Sequence, residues 1–326
     1  MKKFLFTFSI VFLLILSACS PAGETSNKVK VITTLFPQYD FVRMIAQDKV
    51  DVQLLLPPGV ESHSYDPTPA TIVNIGTADI FIYTNPEMEP WIEKIVDTVK
   101  NDSLLIVNSS EGIEFIDETH SHDDDHDDDH DDDHDDDHDD DHDDDHEHGE
   151  YDPHVWLDPI NAKIMVKNIL NALIQADPAN VDFYTINAQE VLDRLDELDE
   201  AFEEAFSLST HKTIIYGGHF AFGYLADRHN IRILSPYVGF APDAEPTPRA
   251  IAELIDTMNS LGISTIYYEE LIDPKTARVI SEQTGAEMVL LHGAHNVTKE
   301  EMESNISYFD IMFENVEKLK NGFRNE

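Results

Sequence analysis

Four histidines in this 326-residue sequence, His63, His154, His219 and His295, have the type and placement to hold a metal ion. A neutral imidazole offers one nitrogen lone pair, and zinc takes four ligands in a tetrahedron at about 2.0–2.1 Å. Manganese prefers carboxylate and water oxygens, so four imidazoles favour zinc over manganese. A lone histidine is more often a surface or hydrogen-bonded residue than a ligand. Only the four together point to a site. Of the remaining histidines outside one acidic tract, His211 opens a strand-like run and His229 ends a helical one, and both are expected to be exposed. His292 lies three residues before His295 in the same loop, and Glu269 and Glu270 end another strand-like run. The fourth ligand thus stays open among His295, His292, Glu269, Glu270 and water.

The elements that would position these side chains follow from the hydrophobic pattern. Short apolar runs at Val29–Thr34, Val52–Leu56, Ile80–Tyr83 and Leu104–Val107 alternate with helical spacing, which predicts a parallel, doubly wound sheet. A second series has strands at Thr213–Tyr216, Ile231–Leu234, Thr265–Tyr268 and Met288–Leu291. Its helices are expected at Phe220–Arg228, Arg249–Leu261, Lys275–Thr284 and Ser304–Lys320. Open α/β sheets bind ligands outside the carboxyl ends of their strands. His63, His219 and His295 each follow such an end, and His154 precedes a helix started by Asp158 as cap and Pro159 at its first position. Between the two series, Val191, Leu195, Leu198, Phe202 and Ala205 form one apolar stripe on a long helix over 180–208. The fold class is α/β: two Rossmann-like lobes joined by a long rigid helix, with the metal site in the cleft between them.

The chain starts with Lys2 and Lys3, then an apolar run from Phe4 to Leu16 that is too short for a mature membrane span but fits a secretion signal. It leads to Leu16-Ser17-Ala18-Cys19, which looks like a lipoprotein cleavage box with Cys19, the single cysteine, as the lipidated residue. Residues 1–19 read as signal peptide, 20–27 as tether, 28–179 as the N-terminal lobe, 180–208 as the linking helix and 209–326 as the C-terminal lobe. The expected location is the extracytoplasmic face of the cell membrane, anchored by lipid, and the expected state is a monomer. Within the first lobe, 120–150 is a low-complexity Asp/His tract with no apolar residue, expected to be a disordered loop. Its histidines, His120, His122, His126, His130, His134, His138, His142, His146 and His148, are candidate auxiliary zinc ligands. The net charge is −44, and such an acidic surface excludes nucleic acid as a partner while concentrating cations.

Three stretches carry a family resemblance: Pro57-Pro58-Gly59-Val60-Glu61-Ser62-His63-Ser64-Tyr65-Asp66-Pro67, Asp152-Pro153-His154-Val155-Trp156-Leu157-Asp158-Pro159 and Gly218-His219-Phe220-Ala221-Phe222-Gly223-Tyr224-Leu225-Ala226. With Ala244-Glu245-Pro246-Thr247-Pro248, they resemble the cluster A-I (cluster 9) solute-binding proteins of ABC importers, in particular the zinc-binding lipoproteins. The resemblance covers nearly all of the chain beyond the tether. It implies an ABC permease as partner, Zn2+ as the bound ion, His63 and His154 as ligands from the first lobe, and His219 from the second. It also implies that the acidic His-rich loop marks a zinc member. Relatives often carry an acidic residue in the last loop, where this chain has Leu291-His292-Gly293-Ala294-His295-Asn296. The expected function is capture of Zn2+ without catalysis, with affinity falling as pH drops through the histidine range. A secreted zinc hydrolase with three histidine ligands and an open water position is the competing class. It has no His-Glu-x-x-His motif in its favour, and Glu61 is the nearest candidate base. An inert zinc-buffering or adhesive surface protein is a third.

Overall fold

The computed structural model describes residues 28–63, 65–99, 101–116, 151–237 and 246–324. Cys19 and all nine histidines of the acidic tract lie outside the described residues. Among those described, no helix is long and apolar enough to cross a membrane.

The N-terminal half is built on one parallel sheet. Strand β1 (Val29–Thr33) runs through helix α1 (Phe36–Ala46) to β2 (Val50–Leu54), and α2 (Pro69–Ile75), β3 (Ile80–Tyr83), α3 (Ile92–Thr98) and β4 (Leu105–Asn108) follow. The strand order is β2-β1-β3-β4. Alternate side chains face opposite layers, as the strand period of two requires. Val31, Ile80 and Ile82 enter the main core, while Ile32 and Phe81 enter a second cluster with Ile75, Trp91 and Ile95. Thr68 accepts from the Thr71 amide to start α2, ahead of Pro69 at its first position.

Two long helices follow. Helix α4 (Pro159–Ala176) starts where its cap was expected, with the Asp158 carboxylate accepting from the Ile160 amide at 2.7 Å. Helix α5 (Val181–Ser207) has 27 residues and is about 40 Å long at 1.5 Å per residue. Its stripe of Val191, Leu195, Leu198, Phe202 and Ala205 is buried. That stripe sits in a core cluster that also takes residues from both halves of the chain.

The C-terminal half has shorter strands. Strand β5 (Thr213–Ile215), α6 (Gly223–Arg228) and β6 (Arg232–Leu234) are followed by α7 (Pro248–Leu261), β7 (Thr265–Tyr268), α8 (Lys275–Thr284) and β8 (Glu287–Leu290). The pairs β5-β6 and β7-β8 are separate two-stranded parallel sheets, joined by a bridge between Tyr216 and Tyr267. Helices α9 (Lys299–Glu303) and α10 (Tyr308–Arg324) complete the chain.

Two expected helices differ from those observed. The helix expected from Phe220 starts only at Gly223, because 217–222 runs in irregular form past two carboxylates described below. The helix expected over 304–320 runs instead from Tyr308 to Arg324, and a separate short helix, Lys299–Glu303, precedes it across a turn at Asn305 with a φ of 56°. The longer helix starts at a local capping box: Ser307 Oγ accepts from the Asp310 amide, and Asp310 Oδ2 accepts from the Ser307 amide and hydroxyl.

Candidate metal centre

His63, His154, His219 and His295 all line one cleft, together with Glu61, Glu269 and Glu270. Among the described residues, His63, His154 and His219 can each present a ring nitrogen so that all three lie within 4.8 Å of one another. Their ring centroids form a nearly equilateral triangle, with sides of 5.1, 5.2 and 5.2 Å. His63 Nε2 and His154 Nε2 are 3.1 Å apart. Two nitrogens bound to one tetrahedral zinc at the usual bond length are about 3.3 Å apart, so this pair is spaced for a shared ion.

Each of the three histidines is placed by a neighbouring carboxylate that takes a hydrogen bond from its backbone amide, and His154 has its ring held as well. Asp152 Oδ1 accepts from the His154 amide at 2.9 Å and lies 2.8 Å from His154 Nδ1. This puts the proton on Nδ1 and leaves Nε2 as the lone pair aimed into the cleft, the carboxylate–histidine arrangement of many zinc sites. Glu61 Oε1 accepts from the His63 amide at 3.0 Å, and Glu269 Oε1 accepts from the His219 amide at 3.0 Å. The chain reaches His219 through Gly217 and Gly218, where side chains would not fit. A Cβ on Gly217 would lie 2.6 Å from Ala277 Cβ, and one on Gly218 would lie 2.6 Å from Glu269 Oε1.

Burial sets the electrostatics. It pushes the His154 imidazole down to about 3, helped by His295. It pushes His63 down to about 2, helped by His154 and His219. Burial thus favours the neutral, ligating form of both imidazoles. Burial also raises the carboxyls of Asp152, to about 7, and of Glu269, to about 8, the latter with help from Glu270 and Glu61. A divalent cation among them would reverse that penalty and draw the negative charge it needs.

The open question of the fourth position is narrowed by geometry. His295 lines the cleft, but it is not within the 4.8 Å spacing of all three other rings. Its Nδ1 is 3.2 Å from Glu270 Oε1, and its Nε2 is buried without a hydrogen bond. His292 does not line the cleft: its Nδ1 accepts from the Ala294 amide at 2.9 Å and its Nε2 faces Glu301 at 3.7 Å. Glu269 Oε1 accepts from the His219 amide and Glu270 Oε2 accepts from the Gly293 amide at 2.7 Å, while Glu270 Oε1 is buried in the cleft without a hydrogen bond, so both carboxylates stay candidates beside His295. His211 and His229, expected to be exposed, are half-buried, and the His229 ring packs 4.8 Å from that of Phe206. Asp152 holds a role at the site that is not among the residues expected from the sequence. Its signal was the Asp-x-His spacing immediately before the helix cap.

A buried imidazole cluster where the loops of two α/β halves meet defines a metal-binding protein of the solute-capturing kind. The chain belongs to the family described as zinc-uptake complex component A, periplasmic (ZnuA), whose pattern matches residues 31–322. It is 34% identical over 322 residues, 97% of this chain and 96% of the relative, to the high-affinity zinc uptake system protein ZnuA of Bacillus subtilis. It is 29% identical over 326 residues, 98% of this chain, to the zinc-binding lipoprotein AdcA of Streptococcus pneumoniae, of whose length it spans 61%. The crystal structure of the Zn(II)-bound ZnuA-like domain of that AdcA is similar with a TM-score of 0.72 and 28% identity, covering 91% of this chain and 99% of that domain. The two-lobed solute-binding fold expected from the strand and helix pattern is the fold of these relatives.

Proposed function

We propose that this chain captures Zn2+ between His63, His154, His219 and His295 and passes it to an ABC-type permease, working from a lipid anchor at Cys19. The observation that carries this reading is the triangle of three converging, largely buried imidazoles, with a fourth in the same cleft. Nitrogen donors select zinc over the oxygen-seeking manganese. A fourth histidine would close the tetrahedron and leave no position for an attacking water, which favours capture over hydrolysis. Membership of a family of zinc-uptake components supports the same assignment. The tract of His120 to His148 would serve as a weaker collector that raises the local zinc concentration, a reading supported by its composition.

The test is a competition titration of the soluble form starting after Cys19, with zinc and manganese, on the intact protein and on a variant lacking 120–148. One tight zinc site that survives the deletion and is lost in His63→Ala is the expected result. Loss of all tight binding on deletion, or equal competition by manganese, would overturn the cleft site and leave buffering by the acidic tract as the better account.

A further inference from the structure

His295 belongs by sequence to the C-terminal half, since it follows β8. Its loop is nevertheless stitched to the N-terminal half. The Phe36 amide donates to the His295 carbonyl at 3.1 Å, Trp156 Nε1 donates to the Gly293 carbonyl at 2.7 Å, and the Gly59 amide donates to the Val297 carbonyl at 2.8 Å. The side chain of Asn296, the residue after His295, closes this seam. Its Nδ2 donates to the carbonyls of both Pro57 and Val60, at 2.7 and 2.8 Å, in the loop that leads to His63. Its Oδ1 accepts from the Val297 amide at 2.9 Å, and the residue is 0% exposed.

We infer that Asn296 is a positioning residue that clasps the His295 loop to the His63 loop and so brings His295 to the ion. The inference rests on the reading that His295 is a ligand. The two donations satisfy both hydrogens of a fully buried side-chain amide, which would be costly to leave unpaired. The clasp makes His63, His154 and His295 one preassembled half of the site. His219, held by Glu269, is then the ligand presented by the other half.

The experiment uses the full chain and one equivalent of cobalt(II), whose visible absorption is strong in four-coordinate and weak in six-coordinate sites, together with zinc competition. The variants are Asn296→Ala, Asn296→Ser, His295→Ala and the double variant His295→Ala/Asn296→Ala. Asn296→Ser retains a small polar group beside the Val297 amide but cannot reach the two carbonyls, which guards against a folding failure of the alanine variant. The expected result is that both Asn296 variants reproduce the cobalt spectrum of His295→Ala. They should also lose zinc affinity by about 10–100-fold, the range for residues that orient ligands. The double variant should be no weaker than His295→Ala alone, because the two changes remove the same interaction. A four-coordinate spectrum unchanged in the Asn296 variants, or losses that add in the double variant, would overturn the clasp. A spectrum unchanged in His295→Ala would instead remove the four-histidine reading on which the clasp rests.

Discussion

The two halves of the molecule hold their histidines in different ways. The N-terminal half is a continuous four-stranded sheet whose core merges with α4 and α5, and its His154 is buried, with its ring on Asp152 and its neighbour Pro153 taking a 3.1 Å hydrogen bond from Asn85. The C-terminal half is two strand pairs joined by a bridge, with a small core of its own around Leu254, Met258 and Ile280. Its His219 is reached through a two-glycine approach and anchored by Glu269. On this architecture the continuous sheet is expected to make the N-terminal half the stiffer of the two and the bridged strand pairs the C-terminal half the more compliant.

The sharpest way to break this comparison is His154→Ala. Removing a buried ligand of the stiff half should lower zinc affinity by more than the roughly 10–100-fold expected of an outer partner, measured by chelator competition. Retained affinity would mean that the ion sits elsewhere.

The stiff half also stores a pH signature in Glu89. It accepts from the Thr84 and Asn85 amides and contacts the Thr34 hydroxyl, and burial pushes its carboxyl up to about 7. A raised carboxyl favours folding while protonated, so its contribution is present below the ordinary value of 4.5 and is lost as pH rises through about 7. Glu89→Gln keeps the contacts without the charge. It should gain up to about 3 kcal/mol relative to the parent between pH 5 and pH 8, read from denaturant midpoints. Parallel pH profiles for the two proteins would refute it.

In the compliant half, Gly217→Ala drives a Cβ against the backbone of α8 and should cost about 1–3 kcal/mol in thermal unfolding. Within the site, Asp152→Asn should weaken zinc binding by about 10–100-fold. Glu269→Gln, which keeps the oxygen that anchors the His219 amide, should weaken it less. Equal effects would erase the difference between the halves. The smallest effect is expected at Arg228, which joins α6 to Asp158 at 2.7 Å and to Asp199 at 2.5 Å while one-third exposed. Arg228→Ala should cost about 1 kcal/mol or less in thermal unfolding, because partly solvated ion pairs contribute little.

Much of the scaffold was legible in local signals. Asp158-Pro159, Thr68-Pro69 and Thr247-Pro248 each start a helix because a short polar side chain caps amides that proline does not need to supply. The apolar stripe of α5 was readable because buried residues must recur at the helical period. Less legible were the turn at Asn305 and the late start of α6. Each depends on a competing local contact, the Ser307–Asp310 box in one case and the passage beside Glu269 and Asp152 in the other. The choice between His292 and His295 was made for His295 from its place in the loop but could not be fixed by sequence, since three residues of loop can turn either ring toward the cleft.

By itself the sequence determined the α/β alternation, the connecting helix and the set of histidines that could meet, because periodicity, caps and strand ends are local properties of the chain. Only the tertiary structure decided which rings converge, that Asp152 orients His154, and that the His295 loop is bound to the half it does not belong to by sequence. Those facts depend on contacts across more than 230 residues, such as Asn296 with Pro57 and Val60, and no local pattern encodes a distance of that kind.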